Sequence, residues 1–176
     1  MTSRLLLLSA VTYTLLAQQQ AGEKLAPYYP TPESIVDRML ELGGLKAGEK
    51  MFDLGSGDGR IVIMAARKYH ADAVGVELDH DLVESSSAKI RQLGLKNARI
   101  VEGDMLKQDY SSADLITVYL LPESNIKIRP ILDAQLKKGT RIVAHDFIIG
   151  GWTPVKTITI ADDGEGRSHT LYLYIH

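Results

Sequence analysis

One short stretch constrains this chain more than any other: Asp53-Leu54-Gly55-Ser56-Gly57-Asp58-Gly59. Three glycines within five residues follow the apolar pair Met51-Phe52 and precede a helix-like run from Arg60 to Lys68. A strand that ends in a tight glycine turn and opens into a helix cradles a ligand against backbone amides. The rest of the chain supplies the setting for such a unit. From about residue 27 onward, strand-like and helix-like runs alternate, the signature of an α/β domain on a parallel sheet.

Helices are expected over 31–44, 60–70 and 79–93. The first has Thr31 as N-cap and Pro32 at the first helical position. The third places Leu82, Ser86, Ile90 and Leu93 on one side. A fourth helical region, 122–138, is expected to be divided in two at Pro130. Strands are expected over 50–54, 73–78, 98–101, 115–120 and 140–149. Residues 156–160 and 169–175 alternate in polarity around Asp162-Asp163-Gly164-Glu165-Gly166 and read as a closing antiparallel hairpin.

A chain of 176 residues has room for one domain with a real core. Its net charge of −2 supplies no basic field for nucleic acid. With no cysteine, disulfides, thiolate metal sites and cysteine nucleophiles are excluded. The N-terminus differs from the rest. Met1-Thr2-Ser3-Arg4 carries one positive charge, residues 5–17 are mostly apolar, and residues 18–24 turn abruptly polar. This is the pattern of a secretory signal or short anchor over 1–22, leaving the domain at 23–176. Through residues 5–17 it would associate the chain with a membrane, although a comfortable span needs about 20 residues.

The acidic residues select the ligand. Nicotinamide-binding turns read GxGxxG or GxGxxA, whereas here the third glycine comes one place early and Arg60 takes the sixth place. Carboxylates at Asp53 and Asp58 would repel a pyrophosphate but suit a ligand with an ammonium and a sulfonium, which S-adenosyl-L-methionine carries. Glu77, beside Leu78, ends the second strand eighteen residues after Gly59, where a ribose-binding carboxylate is expected. Asp79 then caps the next helix. Gly103-Asp104-Met105 follows the third strand; Asp104 suits the adenine amine, and Met105 or Leu106 suits the purine face. The cofactor-binding set is therefore Asp53, Gly55, Ser56, Gly57, Asp58, Gly59, Glu77, Leu78, Asp104 and Met105.

These three segments resemble the first three motifs of the class I S-adenosylmethionine-dependent methyltransferases, over about residues 27–176. A narrower resemblance rests on Tyr29-Pro30-Thr31-Pro32, Asp53 to Val62, Tyr119-Leu120-Leu121-Pro122 and Gly151-Trp152-Thr153-Pro154. These look like the ATP synthase c-subunit lysine N-methyltransferase family and its bacterial relatives. The resemblance implies a Rossmann-like, mostly parallel seven-stranded sheet of order 3-2-1-4-5-7-6, strand seven antiparallel. It also implies methyl transfer to a lysine amine, hence a lysine-bearing protein as partner.

Acceptor residues are sought at the carboxyl ends of strands four and five. Tyr119 either orients the amine or packs in the core. Pro122 follows it in the same segment. His145 is either a proton acceptor or a hydrogen-bonded strand residue. Trp152 either walls the substrate or covers the sheet edge, and Tyr28 and Tyr29 either form a lid or fix the first helix. Methyl transfer to nitrogen requires no metal, and the remaining histidines lack metal-ligand spacing. Two alternatives stand beside the protein-lysine reading: a small-molecule N- or O-methyltransferase, and a donor-binding module without catalysis. The leader points to export or anchoring, while cofactor supply points to the cytoplasm.

Overall fold

A computed structural model describes residues 29–176. The leader expected at 1–22 lies outside the described residues, as does Tyr28. Among those described, no helix is long and apolar enough to cross a membrane.

The elements run α1 (Glu33–Leu42), β1 (Lys50–Leu54), α2 (Arg60–Lys68), β2 (Asp72–Glu77), α3 (His80–Gln92), β3 (Ala98–Glu102) and a 3-10 turn (Met105–Lys107). β4 (Leu115–Val118), α4 (Pro122–Gln135), β5 (Arg141–His145), β6 (Lys156–Ile160) and β7 (His169–Ile175) complete them. The seven strands form one sheet of order β3-β2-β1-β4-β5-β7-β6. Its first five strands are parallel; β7 pairs antiparallel with both β5 and β6. The architecture is the one implied by the resemblance.

The central strands bury both faces, and their composition shows why. Met51, Leu54, Val74, Val76, Leu115, Ile116 and Val118 are all nearly inaccessible, as expected for parallel strands covered on two sides. One core layer joins α1 and α2 to the sheet through Ile35, Met39, Leu40, Val62 and Ala66. The other is built around Tyr110, Ile128, Leu132, Ile142 and Tyr174. Trp152 joins this second layer, lying 5.8 Å from the Tyr174 ring and donating to Asp133 Oδ1 at 2.8 Å. It covers the sheet at this point.

Four local expectations are corrected. Thr31 does not cap α1: Pro32 holds that position, without a side-chain cap bond, and Thr31 turns inward, 4% exposed. α4 runs unbroken through Pro130, because Ile128 and Leu132 on either side are both buried and hold its axis across the missing amide bond. On α3 the buried set is Val83, Ser86 and Ile90, while Leu93 lies beyond the helix at 42% exposure. β5 stops at His145, well short of 149, because Asp146 takes a left-handed conformation with φ of 58°.

Candidate active site

The glycine loop sits at the carboxyl end of β1, and neighbouring backbone holds it there. Gly55 N and Ser56 N both donate to Val76 O, at 2.9 and 3.0 Å, folding the loop over β2. Gly75 makes this approach possible. A Cβ there would lie 2.5 Å from Ser56 Oγ and 2.7 Å from Ile100 Cδ1. Gly55, Gly57 and Gly59 have φ of 75°, 53° and 75°, a region that side chains rarely enter.

The loop opens on a cleft of about 860 Å³, continuous with solvent, lined by Asp53, Gly55, Ser56, Gly57, Asp58, Glu77, Leu78, Asp104 and Met105. Nine of the ten residues expected to bind cofactor are thus brought to one surface. Gly59 is not in the lining; it stands at the N-terminus of α2 instead. Tyr29, Pro30, Thr31, Leu82 and Tyr119 also contribute to the wall.

Each carboxylate has its own environment. Asp53 is 2% exposed and accepts from Thr117 Oγ1 at 2.7 Å. Burial pushes its pKa up to about 7, with Glu77 and Asp58 adding to the rise and the Thr117 hydroxyl opposing it. Glu77 braces the loop as well as lining the cleft. Its Oε2 accepts from Gly57 N at 2.7 Å, and its Oε1 from Leu78 N and Asp79 N at 2.8 and 2.9 Å. Asp58 is engaged by Arg60, whose Nη2 lies 2.7 Å from Oδ2. Burial raises the Asp58 pKa, but the Arg60 bonds outweigh it and leave the group below its ordinary value. Arg60 also donates to Thr31 O at 2.8 Å. Asp58 therefore clamps the loop to the segment before α1 as well as facing the cleft. Asp104 Oδ1 accepts from Leu106 N at 2.9 Å, which orders the turn carrying Met105.

The residues expected on the acceptor side separate. Tyr119 reaches the cleft wall; its pKa is pushed up to about 12, first by burial and then by the Asp146 charge. It stays protonated at neutral pH and serves as a hydrogen-bonding group. Pro122 is the first residue of α4 and does not line the cleft. His145 does not reach it either: the side chain is fully buried, with its ring centroid 3.9 Å from that of Tyr119. Burial pushes its pKa down to about 4. His145 backs Tyr119 rather than meeting an acceptor. Sequence reasoning missed Thr117 and the pairing of His145 with His169. Thr117 is an apolar-run residue that becomes visible only through the β1–β4 register opposite Asp53.

The sequence profile of the ANTKMT methyltransferase domain matches residues 53–156. A protein-lysine N-methyltransferase of Saccharolobus islandicus is 41% identical over 151 residues, covering 85% of this chain and 92% of that one. The human ATP synthase c-subunit lysine N-methyltransferase is 30% identical over 129 residues, 73% of this chain. This chain covers 54% of that relative's length. Among solved structures, an RNA methyltransferase from Salinibacter ruber in complex with S-adenosyl-L-homocysteine superposes with a TM-score of 0.77. It is 43% identical and covers 84% of this chain and 93% of its own.

Proposed function

This chain belongs to the ANTKMT methyltransferase domain family and uses S-adenosylmethionine, and we propose that it transfers the methyl group to a lysine amine of a protein. One observation carries the acceptor reading: beside the carboxylates that serve the cofactor, the cleft wall is aromatic. Tyr29 and Tyr119 line it, and ring faces attract an ammonium. The arginine of this wall, Arg60, is already paired with Asp58 rather than offered to a phosphate backbone.

The carboxylates of the cleft match the polar groups of the cofactor. When bound, S-adenosylmethionine would supply a methyl carbon activated by its sulfonium, with the thioether sulfur as leaving group, for transfer to a neutral amine nitrogen. We assign Asp53 to the cofactor ammonium, the remaining acceptor capacity of Glu77 to the ribose, and Asp104 with Met105 to the adenine. Gly55, Ser56, Gly57 and Leu78 shape the wall around the cofactor by close backbone approach, their own amides being bonded to Val76 and Glu77. Tyr119 orients the acceptor through its hydroxyl, and His145 positions the Tyr119 ring. Because an unperturbed lysine has a pKa of about 10.4, desolvation at this wall favours the neutral amine that attacks.

The test is transfer of labelled methyl from S-adenosylmethionine into separate protein and RNA fractions, with lysine modification read by mass spectrometry. Label on protein lysine is expected. Tyr119→Phe should lower kcat roughly fivefold, the equivalent of about 1 kcal/mol for one hydrogen bond, and leave cofactor affinity unchanged. Label confined to RNA, or absent from both fractions, overturns the proposal.

A further inference from the structure

Behind Tyr119, three side chains converge that the donor cleft does not use. His145 ends β5, Asp146 follows it, and His169 opens β7; the antiparallel β5–β7 pairing brings them together. His145 Nε2 lies 2.9 Å from His169 Nδ1. Asp146 Oδ2 lies 3.3 Å from the first and 3.2 Å from the second. Both histidines are buried; Asp146 is partly exposed, its Oδ2 3.5 Å from the Tyr119 hydroxyl.

The outer nitrogen of His169 is held in turn: Nε2 faces Asp163 Oδ2 at 3.2 Å, and Asp163 is itself anchored by Arg167 Nε at 3.0 Å. The ring is thereby oriented with Nδ1 toward Asp146 Oδ2 and His145 Nε2. All three inner atoms converge on one another.

The surroundings are those of a coordination site. Ligands about 2.1 Å from a zinc-like ion stand roughly 3.0 Å apart at a right angle and roughly 3.4 Å apart at the tetrahedral angle. The three separations fall in or beside that interval. Each imidazole has its outer nitrogen occupied, His169 by Asp163 and His145 by Thr31 Oγ1 at 3.3 Å. Metal-bound histidines are oriented by partners of this kind. Asp146 is aimed by backbone: its Oδ1 accepts from Thr170 N at 2.8 Å, which leaves Oδ2 for the cluster. The left-handed backbone at Asp146, φ 58°, turns this carboxylate back toward the histidines.

We propose that His145 Nε2, His169 Nδ1 and Asp146 Oδ2 bind a first-row divalent metal ion of the zinc or cobalt type, a class suited to imidazole and carboxylate. The inference is independent of the methyl-transfer reading. An ion there would tie β5 to β7 and engage the carboxylate that faces Tyr119.

The test is titration of the full-length, chelator-treated protein with Co²⁺, followed by visible absorption, and with Zn²⁺, followed by calorimetry. One saturating equivalent is expected, lost in His169→Gln and in Asp146→Asn. Asp163→Asn should weaken binding roughly 10–100-fold, the usual effect of removing a histidine's outer partner. His80→Gln controls for the exposed group His80, Glu84 and Glu102 and should change nothing. Circular dichroism checks folding; if the buried His169→Gln variant unfolds, Asp146→Asn and Asp163→Asn decide. A flat titration, or binding that survives both of those variants, overturns the proposal.

Discussion

Replacing Asp53 by asparagine should make the cofactor-free protein more stable at alkaline pH while removing cofactor binding. The carboxyl is buried, and its pKa in the folded protein rises from 3.8 to about 7. A carboxyl raised in this way folds most easily when protonated. The cost of ionising it is absent below 3.8, grows through the interval up to about 7, and is complete above that. At about 1.4 kcal/mol per pH unit, this interval amounts to about 4 kcal/mol. Asparagine carries no such cost and retains an oxygen for the Thr117 hydroxyl. The variant should therefore match wild type near pH 4 and exceed it by a few kcal/mol at pH 8, each kcal/mol worth ~2–4 °C in Tm. Urea unfolding of both proteins at several pH values measures the difference. Calorimetry with S-adenosylmethionine measures the other half: the ammonium relieves the buried negative charge, so wild type should bind and the variant should not. Parallel stability–pH curves would refute the burial argument, and undiminished cofactor affinity in Asp53→Asn would refute the ammonium assignment.

Two further outcomes follow from the loop geometry. Gly75→Ala should destabilise the fold by about 1–3 kcal/mol through overpacking and weaken cofactor binding, because Ser56 is tied to Val76 and cannot retreat; Gly150→Ala, where no atom lies within 4 Å, is the control in thermal unfolding. Glu77→Ala should cost roughly 1–3 kcal/mol of cofactor affinity and also lower thermal stability, because three backbone amides lose their acceptor; wild-type affinity by calorimetry would contradict the ribose assignment.

The glycine-loop side of the cleft was legible because its signals are local. Glycine spacing, the apolar run before it and a carboxylate at each strand end are properties of short segments, and nine of the ten expected residues line one cleft. Turn chemistry and periodicity operate over a few residues, so they survive in the sequence. Strand order did not come from periodicity; it came with the family resemblance. What local signals left open was how each charge is used. Asp58 looks like a ligand group and is also a clamp for Arg60, and Glu77 looks like a ribose acceptor and is also a brace for Gly57.

Farther from the loop, sequence alone was silent or ambiguous. His145 and His169 are 24 residues apart, with no recognisable ligand spacing. They meet because β7 inserts between β5 and β6 and pairs antiparallel with both. The same pairing sets Asp146 against Thr170, and the turn before β7 delivers Asp163 to His169. The sequence by itself determined an α/β chain with a glycine-turned, acid-lined cleft, since each part is encoded within one strand–loop–helix unit. Only tertiary structure decided what stands behind Tyr119, because contacts across a long-range antiparallel register leave no periodic trace in either strand.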